Sequence, residues 1–172
     1  MRRHVTLFPP ILVWILTSLV ARPVLAAWPD GACTAHQLEA QFVDRQGGPA
    51  EVLLVLRNLG TQACQMNVLP PLTFYGGDGE QRLVGAQYPD HPSVAWVTLA
   101  PGEAVAAPLA WEERDIEHAH NCITPLMAAL NLPGGALRLL FGRQMCATGG
   151  SLVELTQWPL TSWPAQGVSE TP

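Results

Sequence analysis

The residues whose types and spacing come nearest to chemistry lie in one acidic run, Glu112-Glu113-Arg114-Asp115-Ile116-Glu117-His118-Ala119-His120. Two imidazoles at i and i+2 point to one side of an extended segment, with carboxylates close by. Both groups are ligands that zinc and copper accept. Met127 or Met145 would add a soft ligand. His-x-His alone is a short pattern, and charge runs of this kind ordinarily face water. The reading taken forward is a solvated loop between strands and no cofactor. Copper or zinc binding at His118 and His120 is the alternative.

Nucleophilic catalysis has less to work with. Ser93, Ser151 and Ser162 stand outside any Gly-x-Ser-x-Gly setting, and no strand-turn-helix pattern surrounds them. None of the four cysteines forms Cys-x-x-Cys. A pair of carboxylates for glycoside hydrolysis would have to lie about 5–9 Å apart, a distance that spacing along a chain does not define. The expectation is therefore that this is not an enzyme and that it has no catalytic residues.

Tryptophans are the other candidates, as a sugar-stacking platform or a protein-binding hot spot. Trp111 shares an alternating face with Val105, Ala107 and Leu109, which directs it into the core. Trp96 lies in another strand-like run and is read the same way. Trp158 and Trp163 are followed by Pro159 and Pro164 near the end of the chain, where exposure is plausible.

These residues need elements to position them, and the patterns are those of strands. Residues 38–42 alternate apolar and polar, and 52–56 form a short continuous apolar run, as in a central strand. Further strands are expected at 72–75, 94–99, 105–111, 126–130, 137–141 and 152–156. Punctuation falls between them at Gly76-Gly77-Asp78-Gly79, Pro101-Gly102, Pro133-Gly134-Gly135 and Gly149-Gly150. Thr124-Pro125 would also suit a helix start, but the Pro-Gly-Gly turn beyond it favours a strand. Many short strands at this spacing predict an all-β sandwich or barrel.

Four cysteines allow three pairings. Residues equidistant from a hairpin turn oppose each other across the ladder. The midpoint between Cys33 and Cys64 falls within Gly47-Gly48-Pro49, and that between Cys122 and Cys146 falls on Gly134. The turns thus predict disulfides Cys33–Cys64 and Cys122–Cys146, with a bulge as the feature that would shift either register.

The compartment is indicated by the first residues. Arg2, Arg3 and His4 precede an apolar run at 11–20, and Val24-Leu25-Ala26 has the small and aliphatic residues of a cleavage site. The run is short of the roughly 20 residues that a spanning helix needs. Residues 1–26 are read as a cleaved secretory signal, 27–160 as one β-sandwich domain and 161–172 as a flexible tail. Cys33 comes after Asp30-Gly31-Ala32, so no lipidation motif precedes it. Three of the nine basic residues leave with the signal and all 14 acidic residues stay. The mature chain thus has six arginines against 14 carboxylates, a net −8, and no lysine. Such a surface lacks the basic stripe that nucleic acid requires and has no attraction to anionic lipid. The mature chain is expected to be periplasmic or secreted, with no membrane span.

The order of these pieces resembles the bacterial exported domain of unknown function 4232. The matching residues are Cys33, then Leu53-Val55-Arg57-Asn58-Leu59-Gly60-Thr61 and Cys64, then Gly76-Gly77-Asp78-Gly79. Leu99-Ala100-Pro101-Gly102 and the pair Cys122 and Cys146 complete the series. The resemblance covers roughly residues 33–158. It implies an immunoglobulin-like antiparallel β-sandwich with two disulfides, and it carries no established reaction or catalytic residue. Many members are lipoproteins, and this chain departs from them in having no lipobox cysteine. Three functions remain in view. The first is a non-enzymatic exported module that binds an unknown protein or envelope component, or that serves as an envelope structural domain. The others are a metal binder and a hydrolase with a dispersed site.

Overall fold

A computed structural model describes residues 28–45, 50–90, 92, 95–115, 121–147 and 152–164. The signal segment, His118 and His120 lie outside these residues, as do the turn at 46–49 and the end of the chain from 165. Among the described residues no helix is long and apolar enough to cross a membrane.

The described residues form strands joined by turns. In order they are β1 (Leu38–Asp44), β2 (Glu51–Asn58), β3 (Cys64–Asn67), β4 (Leu72–Tyr75), β5 (Gln81–Arg82), β6 (Val84–Gln87) and β7 (Trp96–Leu99). Then come β8 (Ala104–Trp111), β9 (Cys122–Ile123), β10 (Met127–Leu132), β11 (Gly135–Leu140), β12 (Met145–Cys146), β13 (Val153–Gln157) and β14 (Thr161–Trp163). The larger sheet runs β1-β2-β8-β13-β6, with β14 also pairing β8. The smaller runs β11-β10-β4-β5, and β9 with β12 and β3 with β7 form two short ladders. The result is an all-β, sandwich-like fold. Among the described residues the strand-to-strand pairings are antiparallel except for β13 with β6, and one isolated bridge, Ala32 with Gln65, is also parallel. Thr161–Trp163 were expected in a flexible tail. Instead they extend the domain, because β8 offers them a free edge beyond the end of β13.

The period-two pattern read from the sequence is what buries the core. Val52, Leu54 and Leu56 of β2 point the same way as Val105, Ala107 and Leu109 of β8, and all are within 1% of full burial. They meet Phe74 of β4 and Ala128 and Leu130 of β10 from the smaller sheet, in one cluster. Burying a side chain of this size stabilises by about 1.5–3 kcal/mol. Phe141 sits between the layers. Its ring lies 5.5 Å from Phe42, 5.2 Å from Trp111 and 5.1 Å from Phe74, so it touches both sheets.

The Asn-x-Gly and Leu-x-Pro-Gly steps form one hydrogen-bonded cluster. Asn58 is fully buried, and its Nδ2 donates to the carbonyls of Gln62 (2.8 Å) and Leu99 (3.0 Å). Its Oδ1 accepts from the Gly60 N–H at 2.9 Å. A Cβ on Gly60 would stand 3.0 Å from that oxygen, so the close approach favours glycine. The Asn58 backbone exchanges bonds with Glu103 and Gly102. Gly102, at φ 79°, comes directly after Pro101 in the arrangement of a type II turn.

Candidate functional site

The site is produced by one extra residue. Strand β8 pairs with β2 along one side, and along the other it pairs first with β14 and then with β13. Leu155 opposes Trp111 and Gln157 opposes Leu109, but Thr161 opposes Ala106. Between Gln157 and Thr161 lie three residues, whereas between Ala106 and Leu109 lie two. The surplus is a bulge. Gln157 and Leu160 both point inward and are buried, so Trp158 and Pro159 are displaced to the outer face. Two bonds from the core side hold this arrangement. Gln157 Nε2 donates to the Pro70 carbonyl at 3.1 Å, and the Leu160 N–H donates to Val68 at 2.7 Å.

Pro108 occupies the facing position on β8. Proline is rare in a central strand because it cannot donate to the ladder. Its carbonyl accepts from the Trp158 N–H at 3.1 Å, so its nitrogen faces the same interrupted partner. The missing donor thus coincides with the bulge.

A cleft of about 470 Å³ opens here on the outer face of the larger sheet, within the range of small-molecule sites. Pro108 and Ala110 form its floor, with Leu109 between them. Trp158, Pro159 and Thr161 line one side. Arg45 and Glu51, paired at 3.6 Å, line the other, and Asp90 joins from the segment after β6. Parallel pairing of β6 with β13 brings that segment alongside Pro159, since Gln87 opposes Thr156. The lining offers two carboxylates, one guanidinium and an indole.

A second hollow of about 330 Å³ is lined by Ala50, Trp111, Glu112, Glu113 and Arg114. Here the polar groups serve the fold. The Glu112 carboxylate accepts from the Arg114 N–H at 2.8 Å, and its carbonyl accepts from Cys146 N–H at 2.7 Å. Gln144 Nε2 donates to the Glu113 carbonyl at 3.0 Å, and Trp111 Nε1 donates to Gln144 at 2.8 Å. These bonds tie the start of the acidic run to β12. His118 and His120 lie outside the described residues. Among those described, no three His, Cys, Asp or Glu side chains converge on a point.

Both predicted disulfides are formed, Cys33–Cys64 and Cys122–Cys146. Their geometry differs from the expected rungs. Cys122 directly opposes Cys146 in a short antiparallel ladder, one residue out of register with the β10–β11 hairpin. Between the two ladders residues 141–144 lie against 124–126, four against three, and this surplus, with Gly142 at φ 61°, is the bulge that absorbs the difference. Cys33 lies in no hairpin with Cys64. Ala32 bridges Gln65 in parallel, and the Cys33 N–H donates to the Gln65 carbonyl at 2.8 Å.

The tryptophans divide differently from the sequence expectation. Trp111 is 8% exposed and belongs to the core, as expected. Trp96 was expected in the core but is 37% exposed. Strand β7 turns Val97 and Leu99 inward, so Trp96 and Thr98 face out, and Trp96 meets Trp28 edge to face at 6.4 Å. Trp163 packs on the outer face over Val55, Ala104 and Ala106. Trp158 lines the larger cleft, whereas Trp111 borders the second hollow from the core side. The Trp-Pro step marked Trp158 in sequence, whereas Asp90, Arg45 and Glu51 carried no local signal.

The family model described as Domain of unknown function (DUF4232) matches residues 33–159, which includes Trp158, Pro159 and all four cysteines. Neither the curated proteins nor the solved structures give a match.

Proposed function

This chain belongs to the DUF4232 family, and from that premise we propose that it is an exported, non-enzymatic binding module whose ligand or partner occupies the Trp158 cleft. The observation that carries this is the bulge at Trp158-Pro159 opposite Pro108. An unbroken strand would pair β8 along its length and leave a flat outer face. Instead the ladder is interrupted and an aromatic side chain is set beside a small-residue floor. Sandwich domains carry function in such local departures rather than in the fold itself.

Export is supported by the arginine-led apolar segment ahead of residue 27. Two disulfides accord with a chain that folds outside a reducing cytoplasm. On this reading the mature chain begins at Ala27.

Site-directed photo-crosslinking in the producing cell tests the binding role. A crosslinking residue at Thr161, in the cleft, is compared with one at Leu140, exposed on the smaller sheet. A defined adduct at Thr161 that is absent at Leu140, read by peptide mass mapping, is the expected result. Equal labelling at both positions, or none at either, would sink the proposal.

A further inference from the structure

We infer that the cleft is built for an organic cation, an alkylammonium group seated beside Trp158 with carboxylates around it. This rests on the cleft being the binding site. Its rim carries Glu51 and Asp90 against a single guanidinium. Arg45 is committed to Glu51 at 3.6 Å, and Asp90 makes no ion pair among the described residues. The net lining charge is therefore negative, with one carboxylate free to act as counter-ion. Indole is the aromatic face to which a cation is most strongly attracted. The whole chain carries a formal charge of −5, which raises the local concentration of cations around it.

The floor separates this from a neutral polyol. The side chains of Pro108 and Ala110 provide no donor or acceptor. A sugar laid across them would leave hydroxyls without partners, at a cost in free energy. The methyl or methylene groups of an alkylammonium gain by covering the same surface. One end of the ligand is thus matched by apolar side chains and the other by charge.

The test uses purified full-length protein and the indole N–H resonance of Trp158, assigned with Trp158→Phe. Three probes are titrated: choline, its neutral carbon isostere 3,3-dimethylbutanol, and glucose. Choline is expected to shift the resonance, with binding at least about fivefold tighter than that of the isostere and weakening as salt is raised. Glu51→Gln with Asp90→Asn should weaken choline by roughly fivefold or more and leave the isostere unchanged. Arg45→Gln removes the competing cation and should strengthen choline, a gain that misfolding would not produce. If the isostere or glucose binds as tightly as choline, the cation assignment is overturned while the cleft remains a binding site. If none of the three moves Trp158, the cation assignment falls, and the crosslink at Thr161 separately decides whether the cleft holds a partner of another kind.

Discussion

The backbone N–H of Trp158 donates to the carbonyl of Pro108 at 3.1 Å, and this is where the second edge of β8 changes partner from β13 to β14. A proline in a central strand and a bulge in its neighbour are each unfavourable alone. Placed opposite one another they share one defect, since the bulge sits where the ladder lacks a donor.

That relationship makes a prediction about the cleft. Deleting Pro159 removes the surplus residue and brings Gln157 and Thr161 into one register with β8. Trp158 would stay on the outer face and Leu160 on the inner, so the core keeps its packing. The variant should fold with stability within about 2 kcal/mol of the parent, the scale of an ordinary loop change. Its response to the alkylammonium probe should vanish. Thermal unfolding and the Trp158 titration, run on the same sample, check both halves.

Asn58 should be among the most sensitive polar residues. Its side chain satisfies two carbonyls and one N–H in the interior. Asn58→Ala leaves these groups unpaired, at about 1–3 kcal/mol for each group left buried, so a total loss of about 3 kcal/mol is expected. Gly60→Ala should cost less, about 1 kcal/mol, because the new Cβ meets Asn58 Oδ1 and the flexible Gln37 side chain. Urea unfolding at equilibrium distinguishes the two.

The disulfides should contribute nearly equally. They close loops with sequence separations of 31 and 24, and loop entropy grows only with the logarithm of length. Replacing either pair by alanines is expected to cost about 3 kcal/mol. Loss of Cys33–Cys64 should in addition loosen the segment carrying Trp28. Denaturant unfolding measures the stabilities, and hydrogen exchange at Ala32 and Cys33 reports the loosening.

Asp78 provides a pH signature away from the cleft. Its Oδ1 accepts from the Glu80 N–H at 3.0 Å and its other oxygen pairs with Arg82 at 2.5 Å. Chiefly the first bond and then the Arg82 pairing hold this carboxyl below its ordinary range. A carboxyl with a depressed folded pKa favours the native state above its unfolded pKa. That contribution is lost as pH falls through the folded value. Carbon NMR should show Asp78 titrating below an ordinary aspartate. Arg82→Gln should raise the midpoint only part of the way, since the Glu80 N–H remains. A midpoint unchanged by that substitution would show that the pairing has no influence.

Much of the fold was legible because it is governed by local rules. Alternation at 38–42 and the apolar run at 52–56 mark strands whose faces are set by a period of two. Pro133-Gly134 closes the β10–β11 hairpin, and from its midpoint the Cys122–Cys146 pair can be read to within one residue. Cys33–Cys64 was also paired correctly from a turn, although the contact is a parallel bridge beside β3. Both cysteines flank the β1–β2 hairpin, so the turn brings them close without making them a rung.

The cleft was not legible, because each of its parts depends on a distant one. Trp158-Pro159 reads as a surface turn until Leu160 is seen to bond Val68 and Gln157 to bond Pro70. Trp96 reads as core until β3 is found to turn the other face of β7 inward. Asp90 and Glu51 are ordinary surface acids in a linear chain, brought to one cleft by the parallel pairing of β6 with β13 and by β2 beside β8. Strands, turns and cysteine pairs rest on backbone preferences and short spacings, and these are properties of the chain alone. The register offset that opens the cleft, and the charges around it, arise only on folding. Strand pairing is non-local, and one extra residue shifts every later residue against its partner.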